Sequence, residues 1–224
     1  MAQITSGLRA VLSSPLVYDT FQRLMGGHTG RTDFSQHIVR ARPGDRILDI
    51  GCGTGELLAY LPDGVDYAGW DISAEYVAAA RARFGTRGTF TCGLVTSDTL
   101  AALPPFDIVV ASGVLHHLDD EEGRAFAALA RCALRNGGRV ATIDPVLAPG
   151  QNPLARYLIG RDRGQHVRTA DDYLSLLRVA FSDVRGFLRH RRWVPYTHWM
   201  MEAGTPPSCT AKPTGSRADV QRRS

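Results

Sequence analysis

Between residues 45 and 145 the chain alternates two hydrophobic rhythms. Short apolar runs at 47–50, 65–70, 89–92, 106–111 and 139–143 predict five strands. Between them, apolar side chains recur at helical spacing. A short helix is expected at 56–61, stopped by Pro62. A second should start after Ser73, whose hydroxyl can cap it, and end at Gly85. Asp119 and Glu122 have capping-box spacing and open a third helix through Leu134, closed by Asn136-Gly137-Gly138. Near-continuous apolar strands alternating with helices predict an α/β fold: a parallel sheet with helices on both faces, joined by right-handed crossovers.

The flanks follow a different pattern. Residues 1–30 predict one or two short helices, with Leu16, Val17, Phe21, Leu24 and Met25 sharing a face after Pro15. Another helix is expected over 33–40, and Pro43-Gly44 marks the turn before the first strand. After Pro145, residues 146–168 carry two prolines and three glycines around one helical patch at 154–159. That is too long for an ordinary connection. Thr169 and Asp172 cap a helix to about 181, and 184–188 and 192–201 read as two closing strands. The domain reading is 1–44 as an N-terminal helical lid, 45–203 as the main domain and 204–224 as a disordered tail.

A chain of 224 residues fits one domain with decorations. No apolar run is long enough to cross a bilayer, and the N-terminus lacks a cleavage site of the secretory kind. The four cysteines, Cys52, Cys92, Cys132 and Cys209, have neither zinc nor disulfide spacing, so reduced thiols and a cytoplasmic location are expected. A net charge of +4 raises nucleic acid as a partner. Lys212 is the only lysine, however, and the arginines are not interleaved with aromatics in any recognisable module.

The chemistry concentrates at R-I-L-D-I-G-C-G-T-G, residues 46–55. A buried strand broken by Asp49 runs straight into Gly51, Gly53 and Gly55, where the backbone can bend sharply and a ligand can approach closely. Asp71, at the tip of the next strand, is placed to accept hydrogen bonds from both hydroxyls of a ribose. A dinucleotide turn would be written G-x-G-x-x-G. Here the third glycine's place is held by Glu56, which opposes a pyrophosphate and favours a nucleoside cofactor without phosphates.

These residues resemble the motifs of class I S-adenosylmethionine-dependent methyltransferases. I-L-D-I-G-C-G-T-G is similar to their first motif, G-W-D-I-S (69–73) to the second, F-D-I-V-V-A-S-G-V-L-H-H-L (106–118) to the fourth, and L-R-N-G-G-R-V (134–140) to the element before strand five. The resemblance implies a Rossmann-like seven-stranded sheet, mostly parallel with an antiparallel last strand, and S-adenosyl-L-methionine as cofactor. It further implies that Asp49, Gly51, Cys52 and Gly53 hold the methionine part, Asp71 the ribose, and Ile72, Gly93 and Leu94 the adenine. Ser112 would lie near the sulfonium. The family often has an acidic residue where this chain has Leu94.

The acceptor is then a small molecule, and residues 146–168 form an acceptor-side insertion. His116 and, more weakly, His117 are the candidate base or acceptor anchor, and they favour oxygen as the methylated atom. Asp144, Tyr157 and His166 are weaker pocket candidates. No metal is expected, because adjacent residues in H-H-L-D-D diverge. A nicotinamide (NAD(P)) oxidoreductase and a non-catalytic S-adenosylmethionine-binding protein on the same fold remain as alternatives.

Overall fold

A computed structural model describes residues 27–159, 166–190 and 197–204. The predicted helices before residue 27, residues 160–165 of the predicted insertion, residues 192–196 of the second predicted closing strand, and the tail from 205 onward lie outside the described residues.

Seven strands form one sheet in the order β3-β2-β1-β4-β5-β7-β6. They are β1 (Arg46–Ile50), β2 (Asp66–Asp71), β3 (Thr89–Cys92), β4 (Phe106–Ser112), β5 (Leu134–Pro145), β6 (Asp183–His190) and β7 (Thr197–Gly204). The first five pair in parallel, and β7 lies antiparallel between β5 and β6. Strand order reverses between β1 and β4. In such a sheet a ligand binds in the crevice outside the carboxyl ends of those two strands.

The period-two alternation of each strand feeds two cores. Ile47, Ile108 and Val110 face one side with Tyr67 and Phe90. That side is covered by α1 (Gly27–Phe34), by Leu57 and Leu58 of the 3₁₀ turn Glu56–Tyr60, and by Val77 and Ala80 of α2 (Ala74–Phe84). Leu48, Val109, Ala111 and Val140 face the other side. There they meet α4 (Asp120–Ala133) through Phe126, Ala127 and Ala130, and α6 (Ala170–Arg178) through Tyr173, Leu176 and Leu177. The short α3 (Ser97–Ala101) and α5 (Pro153–Ile159) complete the α-helices among the described residues.

Local chemistry explains where the elements start. Ser73 accepts from the Tyr76 N–H, Asp119 and Glu122 form a reciprocal capping box, and Thr169 accepts from the Asp172 N–H. Several boundaries differ from the sequence reading: the closing strand β6 spans Asp183–His190 rather than 184–188, and β7 runs to Gly204 rather than to 201. The helix expected at 33–40 is α1 followed by a π-helical turn, Ser35–Val39, ending on Arg40 at φ 48°. Asn136-Gly137-Gly138 does not close α4, which ends at Ala133; β5 starts at once, with Leu134 paired to Phe106. The register then slips before Ile108 meets Arg139, so Asn136, Gly137 and Gly138 form a bulge inside the strand. Finally, α6 stops at Arg178 rather than near 181. Among the described residues, no helix is long and apolar enough to cross a membrane.

Candidate active site

The turn after β1 is held by its neighbour strand. The N–H groups of Gly51 and Cys52 both donate to the Trp70 carbonyl, at 2.8 and 3.0 Å. Asp71 then staples the turn to α2: its carboxylate accepts from the Gly53 N–H and the Ser73 N–H, each at 2.8 Å. A carboxylate offers about four acceptor positions, so Asp71 keeps capacity for a ligand's hydroxyls. Gly51 sits at φ +73°, and a Cβ there would come within 2.6 Å of Val114 Cγ2. The loop after β4 is therefore packed directly onto the glycine turn.

Asp49 lies beneath that turn and is almost fully buried. Tyr67, two positions before Gly69, donates its hydroxyl to Asp49 Oδ2 at 2.5 Å. Gly69 makes this possible: a Cβ there would press on Cys52 Sγ, Phe90 and the Tyr67 ring at 2.8–3.0 Å. Burial pushes the Asp49 carboxyl up to about 7; the Tyr67 bond opposes that shift and the charge of Asp71 adds to it. Asp49 Oδ1 is buried with no hydrogen-bond partner among the described residues. Burial also pushes the Cys52 thiol far up, so it stays protonated beside the turn.

On the far side of Asp71 the surface becomes apolar. Ile72 and Leu94 are each 72 % exposed, an unusual cost for two branched aliphatic side chains at adjacent strand ends. Gly93 lies between them in sequence at φ +148°, its N–H bonded to the Asp71 carbonyl at 2.9 Å. A partly engaged carboxylate beside two uncovered aliphatic groups suits a ribose joined to a flat base. An orphaned buried carboxylate oxygen under the turn suits a nearby ammonium. These residues fit S-adenosylmethionine.

Glu56 departs from its expected part. It is buried and faces Arg31 Nη1 at 2.7 Å and Arg83 Nη1 at 3.2 Å. Two guanidinium groups offset its charge, so repulsion by Glu56 is not what excludes a pyrophosphate. Its place in the structure is to bind α1 and α2 to the helical turn that leaves the glycines.

The loop after β4 carries the two histidines on a 3₁₀ turn, Leu115–His117. His116 is buried and His117 exposed, their rings 4.1 Å apart. Asp144, at the end of β5, meets His116 twice through Oδ1. It accepts the backbone N–H at 3.2 Å and lies 2.9 Å from ring Nδ1. With the backbone donating to the same oxygen, Nδ1–H completes the set as a second donor, which leaves Nε2 with its lone pair. Burial raises the Asp144 carboxyl, and the His116 contacts oppose the rise. The His116 ring edge faces the β4 end, with Cε1 3.6 Å from where a Gly113 Cβ would stand. Ser112 is half-buried, level with Ile143 of β5.

Of the weaker candidates, Asp144 joins His116. His166 reaches it through the backbone, donating its N–H to the His116 carbonyl at 3.0 Å. Tyr157 is exposed on α5. Three residues of this assembly escaped the sequence reading. Tyr67 looked like strand core. Val114 is read only as part of the 106–118 motif. Arg168 stands among many arginines, and only its place just before the Thr169 cap marks it. Among the described residues, no group of three or more His, Cys, Asp or Glu is gathered to hold a metal ion.

Comparisons with known proteins converge on this assembly. A family model described as a methyltransferase domain matches residues 48–140, from β1 into β5. Aklanonic acid methyltransferase DauC of a Streptomyces species is 35% identical over 119 residues, covering 49% of this chain and 52% of that protein. The 27-O-demethylrifamycin SV methyltransferase of Amycolatopsis mediterranei is 34% identical over 127 residues, covering 54% and 46%. The fold matches the apo crystal structure of the S-adenosylmethionine-dependent methyltransferase SibL with a TM-score of 0.67 at 20% identity, over 89% of this chain and 59% of that one. The first curated relatives are matched over only 22% to 52% of their own lengths. The match to a methyltransferase domain at 48–140 thus coincides with the four motifs and with the strands on either side of the switch point in the sheet.

Proposed function

We propose that this protein methylates a hydroxyl oxygen of a small-molecule acceptor, with His116 as the base. The observation that carries the reading is the buried Asp144–His116 pair at the carboxyl end of β4, beside the loop whose Val114 packs on Gly51. The names of the two actinomycete relatives, each a methyltransferase of a small molecule, support the acceptor class. The four cysteines without disulfide spacing support a cytoplasmic site of action.

Asp71 would hold the ribose, Ile72, Gly93 and Leu94 the adenine, and Asp49, Gly51, Cys52 and Gly53 the amino-acid end, with Ser112 near the reacting centre. The bound cofactor supplies a sulfonium-activated methyl group. His116 takes the hydroxyl proton at Nε2, and Asp144 fixes the ring and stabilises the imidazolium that results. His117, exposed beside it, is placed to anchor the acceptor rather than to receive the proton. A positioned base contributes about 10²–10⁴-fold.

The test is a panel of phenols, alcohols, amines and carboxylic acids, assayed for transfer of a labelled methyl group by the native chain and by His116→Ala. S-adenosylhomocysteine titration runs alongside as a check on folding. Hydroxyl methylation that falls by about 10²–10⁴-fold in the variant, with product affinity retained, is the expected result. Turnover confined to amines, or an unimpaired variant, would refute the base reading. Binding without turnover of any acceptor would favour a non-catalytic binder.

A further inference from the structure

Arg168 uses all five of its N–H donors, two of them at the ends of one turn. It is the last residue before the Thr169 cap of α6, at the closing end of the segment 146–168, and its guanidinium is buried. Nη1 donates to the carbonyls of Leu115 at 2.9 Å and His166 at 3.1 Å. Nη2 donates to the Leu118 carbonyl and to Asp120 Oδ1, both at 2.8 Å, and Nε donates to the same Asp120 oxygen at 3.1 Å. The carbonyls of Leu115 and Leu118 bracket His116-His117. The His166 N–H closes the loop on the carbonyl of His116 itself at 3.0 Å.

This is an expensive way to hold a turn. A guanidinium leaves water only at a large desolvation cost, and its carboxylate partner Asp120 stays largely exposed, where pairing returns little. An aliphatic side chain packed on Tyr173 could close the same gap. What only a rigid planar fork can do is reach both ends of a short turn, the His166 carbonyl and the first residue of α4 in fixed relation. Asp144 governs the imidazole; Arg168 governs the backbone that carries it.

On the reading of His116 as base, we propose that Arg168 is its positioning residue. It locks the His116-His117 turn to the end of the acceptor-side segment. The group that takes the acceptor's proton and the chain that shapes the acceptor's pocket are thereby held in one register. Lysine at this place would keep the charge but, as a point donor, could not span Leu115 and Leu118 together.

The test uses the full chain, ¹⁵N-labelled, saturated with S-adenosylhomocysteine at pH 8, and compares the native protein with Arg168→Gln and Arg168→Lys. Natively, His116 should show one fixed tautomer with the proton on Nδ1. In Arg168→Gln its ring signals should move toward the average of the two tautomers, and the amides of His116 and Leu118 should exchange at least about tenfold faster. Product affinity should stay within about threefold of native, because no cofactor residue has changed. Arg168→Lys should fall between the two.

A purely structural role would lower the melting temperature and leave the His116 ring signals where they were, and that result overturns the proposal. If Arg168→Gln does not fold, the lysine variant decides on the same two readouts: native-like signals and exchange overturn it. The two readings fail separately. An unimpaired His116→Ala defeats the base reading while these signals stay as expected, whereas unchanged signals in the Arg168 variants defeat positioning and leave the base reading standing.

Discussion

At the scale of single residues, Asp49 is where burial and the proposed contact to a cofactor ammonium pull in opposite directions. Its carboxyl titrates near 7 because the site is desolvated, with Tyr67 only partly offsetting the cost. The folded state therefore holds a proton that the unfolded chain releases near 3.8. Stability must fall as pH rises from about 4 to about 7 and level off above that. Between pH 5 and 8 this one group accounts for a loss of roughly 3 kcal/mol. Asp49→Asn, which never ionises, should flatten that slope in urea melts of the cofactor-free protein; parallel slopes would show that the burial penalty is relieved elsewhere. Ligand binding should move the other way. A cofactor ammonium favours the carboxylate, so native affinity for S-adenosylhomocysteine should rise as pH passes 7, and Asp49→Asn should lose that rise. The sequence exposed Asp49 because an acid interrupting an apolar strand is conspicuous. It concealed Tyr67, since an aromatic residue in a strand reads as core, and only the register that sets Gly69 opposite Asp49 shows where its hydroxyl goes.

At the scale of elements, what was legible follows from how local the determining physics is. Parallel strands buried on both faces are written as apolar runs, so β1, β3 and β4 could be placed nearly to the residue. Helix starts at Ser73, Asp119 and Thr169 could be read because a cap is a contact across three or four positions. The helix α3, five residues opened by Thr96 and Thr99, carries too little periodicity to be seen. The glycines at 136–138 misled for the opposite reason: their backbone freedom serves a helix stop and a strand bulge equally, and only pairing with β4 distinguishes them. The glycine turn was evident, but its dependence on the loop after β4 was not. Gly51→Ala adds a Cβ 2.6 Å from Val114 Cγ2 at a φ of +73°. It should cost about 2–5 kcal/mol of stability, the sum of overpacking and left-handed strain. Adding Val114→Ala should relieve the first part and not the second. A double-mutant cycle in chemical denaturation should therefore give a coupling of about 0.5–3 kcal/mol, and strict additivity would mean that the two loops do not bear on each other.

At the scale of the whole molecule, the sheet carries the site, and a set of arginines fastens the first described helix to it. Arg189 of β6 pairs with Asp33 at 2.6 Å, Arg40 pairs with Glu202 of β7, and Arg139 donates to the Val39 carbonyl. These contacts join residues a hundred or more positions apart in a chain rich in arginine, so no local pattern announces them. Arg31 and Arg83 on Glu56 belong to the same scaffold, and through them α1, α2 and the glycine turn form one body. A ligand held by that body should stabilise the whole domain and not a loop of it. At about 100 times its dissociation constant, S-adenosylhomocysteine should contribute about 2.7 kcal/mol, which for a domain of this size is a rise in melting temperature of roughly 5–11 °C. Asp71→Ala should lose most of that rise, because the proposed ribose contact and the staple between Gly53 and Ser73 would go together. A nicotinamide dinucleotide at the same concentration should shift the native melt hardly at all. The reverse order of the two ligands would overturn the cofactor assignment, because the glycine turn, Asp71 and the apolar pair Ile72 and Leu94 would then be serving a phosphate-bearing ligand.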